Sequence, residues 1–365
     1  MKVIQILPEL NSGGVERGTL ELGKYLVQKG HDSVIISNGG RMVEQLEREG
    51  SRHIALPVHK KSPSSLLQIK ALRRLFEQEK PDVLHLRSRL PAWIAWLAWR
   101  RMNIRTRPRL LTTVHGFNSV NGYSKIMTSG EVIICVSNSV KEYVTSNYPH
   151  VSESKCVVIH RGVDPHQYTF GAQPEQSWVD KWHNDFPETR GKKLLTLPGR
   201  ITRLKGHSDF LKILAELPEH FHGLIAGGAH AKKTEYLEEI KAEVASLGIE
   251  GKVTLTGHRN DLMQILSVSD IVFSLTQQPE SFGRTTLEAL CLGKPVIGYD
   301  HGGVGEILDA LFPEGKISPG DLSGIRELIS KWERQRPVPK QNNPFTLDSM
   351  LSKTVKLYES LALKH

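Results

Sequence analysis

Residues 194–207 read LLTLPGRITRLKGH: an apolar run stops at a proline and a glycine, and a loop carrying Arg200 and Lys205 follows directly. This run decides the fold because it is a second beginning. Upstream, VIQIL (3–7), SVIIS (33–37), DVLHL (82–86), LLTTVH (110–115), VIICVS (132–137) and CVVIH (156–160) alternate with helical patterns. Continuous β-branched runs between helices predict a parallel sheet covered on both faces. At residue 194 the pattern starts afresh, with LLTLPG (194–199), GLIAGG (223–228), KVTLTG (252–257), DIVFSL (270–275) and PVIGYD (295–300). The stretch between the two series, 161–192, lacks sustained periodicity and contains three prolines, so it reads as a linker with one short helix.

The expected architecture is therefore α/β, with two facing Rossmann-like doubly wound domains at 1–165 and 166–345. A closing helix over 346–365 carries Leu347, Met350, Leu351, Val355, Leu357, Tyr358 and Leu361 on one stripe and is expected to pack back on the N-terminal domain. Ligands of such sheets gather at the carboxyl ends of the strands, which places the expected site in a cleft between the domains.

Bulk properties narrow the class. A chain of 365 residues has room for two domains, and 39% hydrophobic with 24% charged residues excludes a disordered chain. Cys135, Cys156 and Cys291 are odd in number and widely spaced, which argues against a disulfide framework or a C-x-x-C metal site and for a reducing cytoplasm. The opening MKVIQILPELNSGG breaks at Pro8 and flows into a glycine loop, so it reads as a strand and not as a leader. No window approaches the ~18 apolar residues of a membrane span, so contact with a bilayer is expected to be peripheral at most. Of the +9 net charge, residues 59–109 hold the whole excess, with 13 basic and 3 acidic residues.

Candidate chemistry follows the strand ends. Gly13 and Gly14 permit a tight turn and close approach to an anion at the start of a helix. His115 stands at a strand end beside a glycine, placed to hydrogen-bond a hydroxyl or phosphate oxygen, or to satisfy its own loop. Arg200 and Lys205 suit a pyrophosphate, one as a bidentate fork and the other as a point charge. The stretch PESFGRTTLEAL (279–290) holds two acids, Glu280 and Glu288, about 12 Å apart if helical, too far to share a proton or a metal ion. Between them Phe282 and Gly283 turn the chain, and Thr285 and Thr286 offer N–H groups at a helix start. Two acids flanking a phosphate-binding helix end match the shape of a nucleotide sugar.

With these residues in place, the chain resembles glycosyltransferase family 4, retaining enzymes of GT-B fold, over nearly its whole length. The most specific match is E-SFGRTTL-E followed by GKPVIGYDHGGVGEI; the GGVE turn, the HG pair at His115 and GR…LKG appear in the expected order. The resemblance implies that Arg200 and Lys205 bind the donor diphosphate and stabilise it as it leaves. It implies that Glu288 binds ribose hydroxyls, that Glu280 binds hydroxyls of the transferred sugar, and that His115 contacts that sugar. Gly13, Gly14, Phe282, Gly283, Thr285 and Thr286 would approach the donor, and Arg259 would stand near the base. No D-x-D-like carboxylate pair is present, so no metal and no cofactor are expected, the donor being a UDP-, GDP- or ADP-sugar.

In such a family the N-terminal domain faces the acceptor, and the basic block there suggests an anionic lipid or glycan, such as a lipopolysaccharide core or phospholipid, met at the inner face of the cytoplasmic membrane. Arg87 and Arg89, on the loop after DVLHL, are expected to point toward the cleft and to contact a phosphorylated acceptor. Trp93, Trp96 and Trp99, on a helix opened by Pro91, are either a buried cover of the sheet or a membrane-facing patch. Nucleic acid is not expected, since no recognised binding motif accompanies the charge. A nucleotide-sugar epimerase and a non-catalytic nucleotide-sugar binder of the same fold stand as alternatives.

Overall fold

The computed structural model describes residues 1–11, 13–60, 65–229 and 234–363. Each strand series becomes one all-parallel sheet. The first contains β1 (Lys2–Ile6), β2 (Asp32–Ser37), β3 (Arg52–Ala55), β4 (Val83–Leu86), β5 (Arg109–Val114), β6 (Val132–Cys135) and β7 (Cys156–Val158), in the order β3-β2-β1-β4-β5-β6-β7. The second contains β8 (Lys193–Pro198), β9 (Phe221–Ala226), β10 (Val253–Leu255), β11 (Ile271–Ser274), β12 (Val296–Tyr299) and β13 (Lys316–Ile317), in the order β10-β9-β8-β11-β12-β13. Both sheets grow outward from their first strand in two directions, so the order reverses between β1 and β4 and again between β8 and β11. Loops leaving those strand pairs diverge to opposite faces and open a crevice, the usual place for a ligand.

The chain divides into two compact units. One is Met1–His160 together with Asp348–His365, the other Arg161–Leu347. The first unit is covered in part by the helix Leu347–Ala362, which buries Leu351, Thr354, Val355, Tyr358 and Leu361. Tyr358 is fully buried, its hydroxyl 2.6 Å from His85 Nδ1 in β4. In the second unit, the aperiodic segment holds the helix Gln176–Asp185, where Trp182 is buried and stacks on Trp178 at 5.3 Å.

The tryptophan helix of the first unit spans Arg89–Trp99, opening two residues before Pro91. The proline lies in the first turn, where its missing N–H would have had no helical partner. The buried-cover reading describes this helix. Ala92, Ile94, Ala95 and Ala98 pack in one core with Leu72, Phe76 and the sheet. Trp99 Nε1 donates to the Pro108 carbonyl at 2.7 Å, and Trp93 Nε1 to the Tyr123 carbonyl at 2.9 Å. Arg100 lies over the half-buried Trp96. Among the described residues no helix is long and apolar enough to cross a membrane.

Candidate active site

The second sheet reverses between β8 and β11, and the loops leaving those two strands carry most of the chemistry. After β8 the chain turns at Gly199, whose φ of 135° favours glycine. Ile201 N then donates to Gly228 O at 3.1 Å, which ties this loop to the one after β9. At Gly206, φ is 73° and an added Cβ would stand 1.9 Å from Leu275 O, so only glycine lets the β8 and β11 loops touch. Gln277 N donates to Leu204 O at 2.8 Å and locks the contact. The outcome joins residues 75 positions apart: Lys205 Nζ forms an ion pair with Glu280 Oε1, both side chains about three-quarters buried. Lys205 has three donors, so two stay available for a ligand oxygen. Arg200, exposed on the same loop, has no ion pair or side-chain hydrogen bond among the described residues.

Glu280 is held through its backbone, its carbonyl accepting from Gly303 N at 2.8 Å. Past it, Gly283 (φ 91°) starts the helix Arg284–Cys291 without any side-chain cap. No side chain therefore caps the amides of Thr285 and Thr286, which stand at the positive end of the helix dipole. Thr286 Oγ1 is buried there with no partner. One turn on, Glu288 is only 5% exposed and accepts from Arg284 Nε at 2.9 Å through Oε1, leaving its second oxygen as an acceptor. Two carboxylates thus flank an uncapped helix end, an arrangement suited to a ligand with hydroxyls on either side of a phosphate.

Arg259 lies in the loop after β10. Its guanidinium is bidentate on Asp261 at 2.8 and 2.6 Å and lies over the rings of Trp182 and Phe186. Trp178 Nε1 donates to the same carboxylate at 2.8 Å. Burial pushes the Asp261 pKa up, but the bonds from Arg259 and Trp178 outweigh it and the net shift is down. The side chain is consumed in anchoring its own loop, and backbone is what that loop has left to offer a ligand.

Two groups escaped sequence reading. Asp209 Oδ2 accepts from Tyr299 Oη at 2.5 Å and from Gln277 Nε2 at 2.7 Å, bracing the β11 loop against β12. His301 Nε2 lies 2.9 Å from the Thr276 carbonyl, which only accepts, so Nε2 carries the proton. The sole signal for His301 was its place before the glycines of DHGGVGE.

In the first unit, Gly13 (φ 139°) is the N-cap of the helix Gly14–Gln28, and an added Cβ would meet Glu16 Oε2 at 2.5 Å; at Gly14 the space is open. His115 is half-buried directly after β5. The two arginines expected to face the cleft both make contacts within the first unit. Arg87 is 5% exposed and donates to Gln5 Oε1 at 2.8 Å, because it continues the alternation of His85 onto a covered face of the sheet. Arg89 is the first residue of a helix, not of a loop; it donates to Ser124 Oγ at 3.2 Å and lies over Tyr123.

Two family models match the chain: Glycosyltransferase Family 4 over residues 12–167 and Glycosyl transferases group 1 over residues 179–344. The N-acetyl-alpha-D-glucosaminyl L-malate synthase of Bacillus anthracis is 23% identical over 380 aligned positions, covering 98% of this chain and 95% of that protein. A glycosyltransferase from Rickettsia africae ESF-5 superposes with a TM-score of 0.86 at 29% identity, covering 99% of this chain and 98% of the other. An Anabaena protein solved in complex with UDP-glucose superposes with a TM-score of 0.81 at 18% identity, covering 99% and 100%.

Proposed function

Because the chain belongs to the GT-B glycosyltransferases, with a family 4 unit followed by a group 1 unit, we propose that it transfers a hexose or heptose, with retention, from a nucleoside diphosphate sugar to an anionic acceptor of lipid-linked or lipopolysaccharide type. The observation that carries this reading is the cluster at the β8/β11 reversal, where Lys205 and Glu280 are paired beside an uncapped helix that also bears Glu288. The UDP-glucose bound to the Anabaena protein supports a sugar nucleotide as donor without choosing its base.

In this reaction the bond from the sugar's anomeric carbon to the β-phosphate oxygen breaks, and its electron pair stays on that oxygen. The acceptor hydroxyl bonds to the anomeric carbon from the same face. Its proton passes to the departing phosphate oxygen, so no carboxylate nucleophile is needed. The demand on the protein is charge stabilisation on the leaving diphosphate, which preorganised donors supply best. Arg200, Lys205 and the amides of Thr285 and Thr286 fill that role, Glu280 takes hydroxyls of the transferred sugar, and Glu288 takes those of the ribose. With two cations doing the work of a divalent ion, the reaction is metal-independent. The basic excess of residues 59–109 supports an acidic acceptor.

Thermal shift against UDP, GDP, ADP and their sugars, with and without chelator, tests the reading. One nucleotide series should raise the melting temperature, equally in chelator, since a ligand binding only the folded state stabilises it. Arg200→Ala should lose more turnover than donor affinity. No shift from any nucleotide, or a shift that chelator abolishes, refutes the proposal.

A further inference from the structure

The first sheet has a reversal point of its own, between β1 and β4. Arg87 is the residue directly after β4, and its backbone N–H donates to Ile6 O, the last residue of β1, at 3.1 Å. The side chain thus starts at the crevice where a doubly wound sheet takes its ligand. It is 5% exposed, yet Nε is buried with no hydrogen-bond partner. Among the described residues its side chain bonds only to the neutral carboxamide of Gln5, and no carboxylate stands within ion-pair distance. The groups that act on it electrostatically are first Tyr358, on the helix Leu347–Ala362, then Glu21 and Glu16, on the helix Gly14–Gln28, and Glu21 also forms an ion pair with Arg17 at 3.0 Å.

A guanidinium stays charged in proteins and has five N–H donors in a rigid fork. Burying it unpaired is strongly unfavourable, so proteins pair such groups or hold them for an anion. Gln5 also fixes where the fork points. Its Oε1 accepts from Arg87 while its Nε2 donates to the Thr19 carbonyl at 3.4 Å, which binds the arginine to the second turn of the helix that opens at Gly13 and Gly14. That helix has no side-chain cap.

We propose that Arg87 is the buried floor of an oxyanion subsite in the first unit, and that it takes a phosphate or carboxylate group of the acceptor. The proposal rests on the transferase reading above, in which the family 4 unit receives the acceptor. Gln5 orients the fork, and Nε has no hydrogen-bond partner of its own.

The test keeps donor and acceptor sites apart. Saturating UDP, replaced by GDP or ADP throughout if the thermal-shift panel selects that base, first fills the phosphate site of the second unit, and its own stabilisation reports on the proposed function alone. Inorganic phosphate, and in a parallel arm malonate, is then titrated at matched ionic strength while the melting temperature is followed. The wild-type protein should show a further saturable rise with at least one of the two anions, and which one tells phosphate from carboxylate. Arg87→Met should weaken that anion's apparent affinity at least tenfold and keep the UDP-induced rise. If Arg87→Met does not fold, Arg87→Lys, which keeps the charge and loses the fork, should show the same split in weaker form. The proposal is overturned if UDP-saturated wild type shows no further rise with either anion, or if the variant keeps that rise. A variant that loses the UDP response instead would assign Arg87 to the donor.

Discussion

Gly303→Ala is the sharpest probe of how the Glu280 loop is positioned. Gly303 lies in the first turn of the helix Gly302–Leu311, and its amide holds the Glu280 carbonyl at 2.8 Å. An added Cβ would sit 2.3 Å from Phe282 Cα and 2.6 Å from Phe282 O, both backbone atoms that cannot rotate away. Ordinary contact begins at 3.4 Å, so the loop must retreat by about 1 Å. Overpacking of this kind costs ~1–3 kcal/mol, partly offset by alanine's helix preference of up to ~1 kcal/mol. A unit of this size should therefore melt only a few degrees lower, at about 2–4 °C per kcal/mol. Function should suffer more. A displacement of ~1 Å at a positioned group costs on the order of 100-fold in rate, equivalent to about 2.7 kcal/mol. Donor-dependent turnover should thus fall about 100-fold, beyond what the melting curve implies. Gly251→Ala, with open space around it and an ordinary backbone, serves as control and should change neither quantity. Gly303→Ala turnover within about threefold of wild type would show that the Phe282 contact does not set the Glu280 loop.

Glu288→Ala should abolish the nucleotide-induced thermal shift while the unliganded melting temperature moves little, because the residue's partner, Arg284, is one turn away on the same helix and can reach solvent. A retained shift would remove the ribose assignment. His207 predicts a pH effect. Burial, reinforced by Lys205 and opposed by a backbone bond at Thr202, lowers its pKa to about 4. The unfolded chain takes up that proton near 6.5 and the native chain only near 4, so this contribution is complete above about pH 6.5 and is lost as pH falls toward 4, by about 3 kcal/mol. Urea midpoints at pH 7 and pH 5 should converge in His207→Leu compared with wild type; an unchanged pH dependence would contradict the shift.

How far the sequence reached differs from element to element. VIQIL, LLTLPG and DIVFSL were legible as strands because a strand buried on both faces needs a continuous apolar run, and that is a local property. β3, with exposed Arg52 and Ala55, and the two-residue β13 were not, since neither carries a continuous apolar run. Arg200, Lys205, Glu280 and Glu288 stood out through their spacing around strand ends and glycines. The fate of individual cations did not. Arg259 is paired with Asp261, a carboxylate that Trp178, 83 residues from it in sequence, also holds.

The sequence by itself determined that two parallel α/β sheets form, where each begins, and which loops carry acids and cations, because hydrophobic period and glycine placement act over a few residues. The tertiary structure alone decided that Lys205 closes on Glu280, that Asp209 braces Tyr299 and Gln277, and that Arg87 turns inward beside Gln5. Strand order and register set those outcomes: they bring distant residues onto one face, and a side chain's charge, exposure and partners depend on that face and not on its neighbours in the chain.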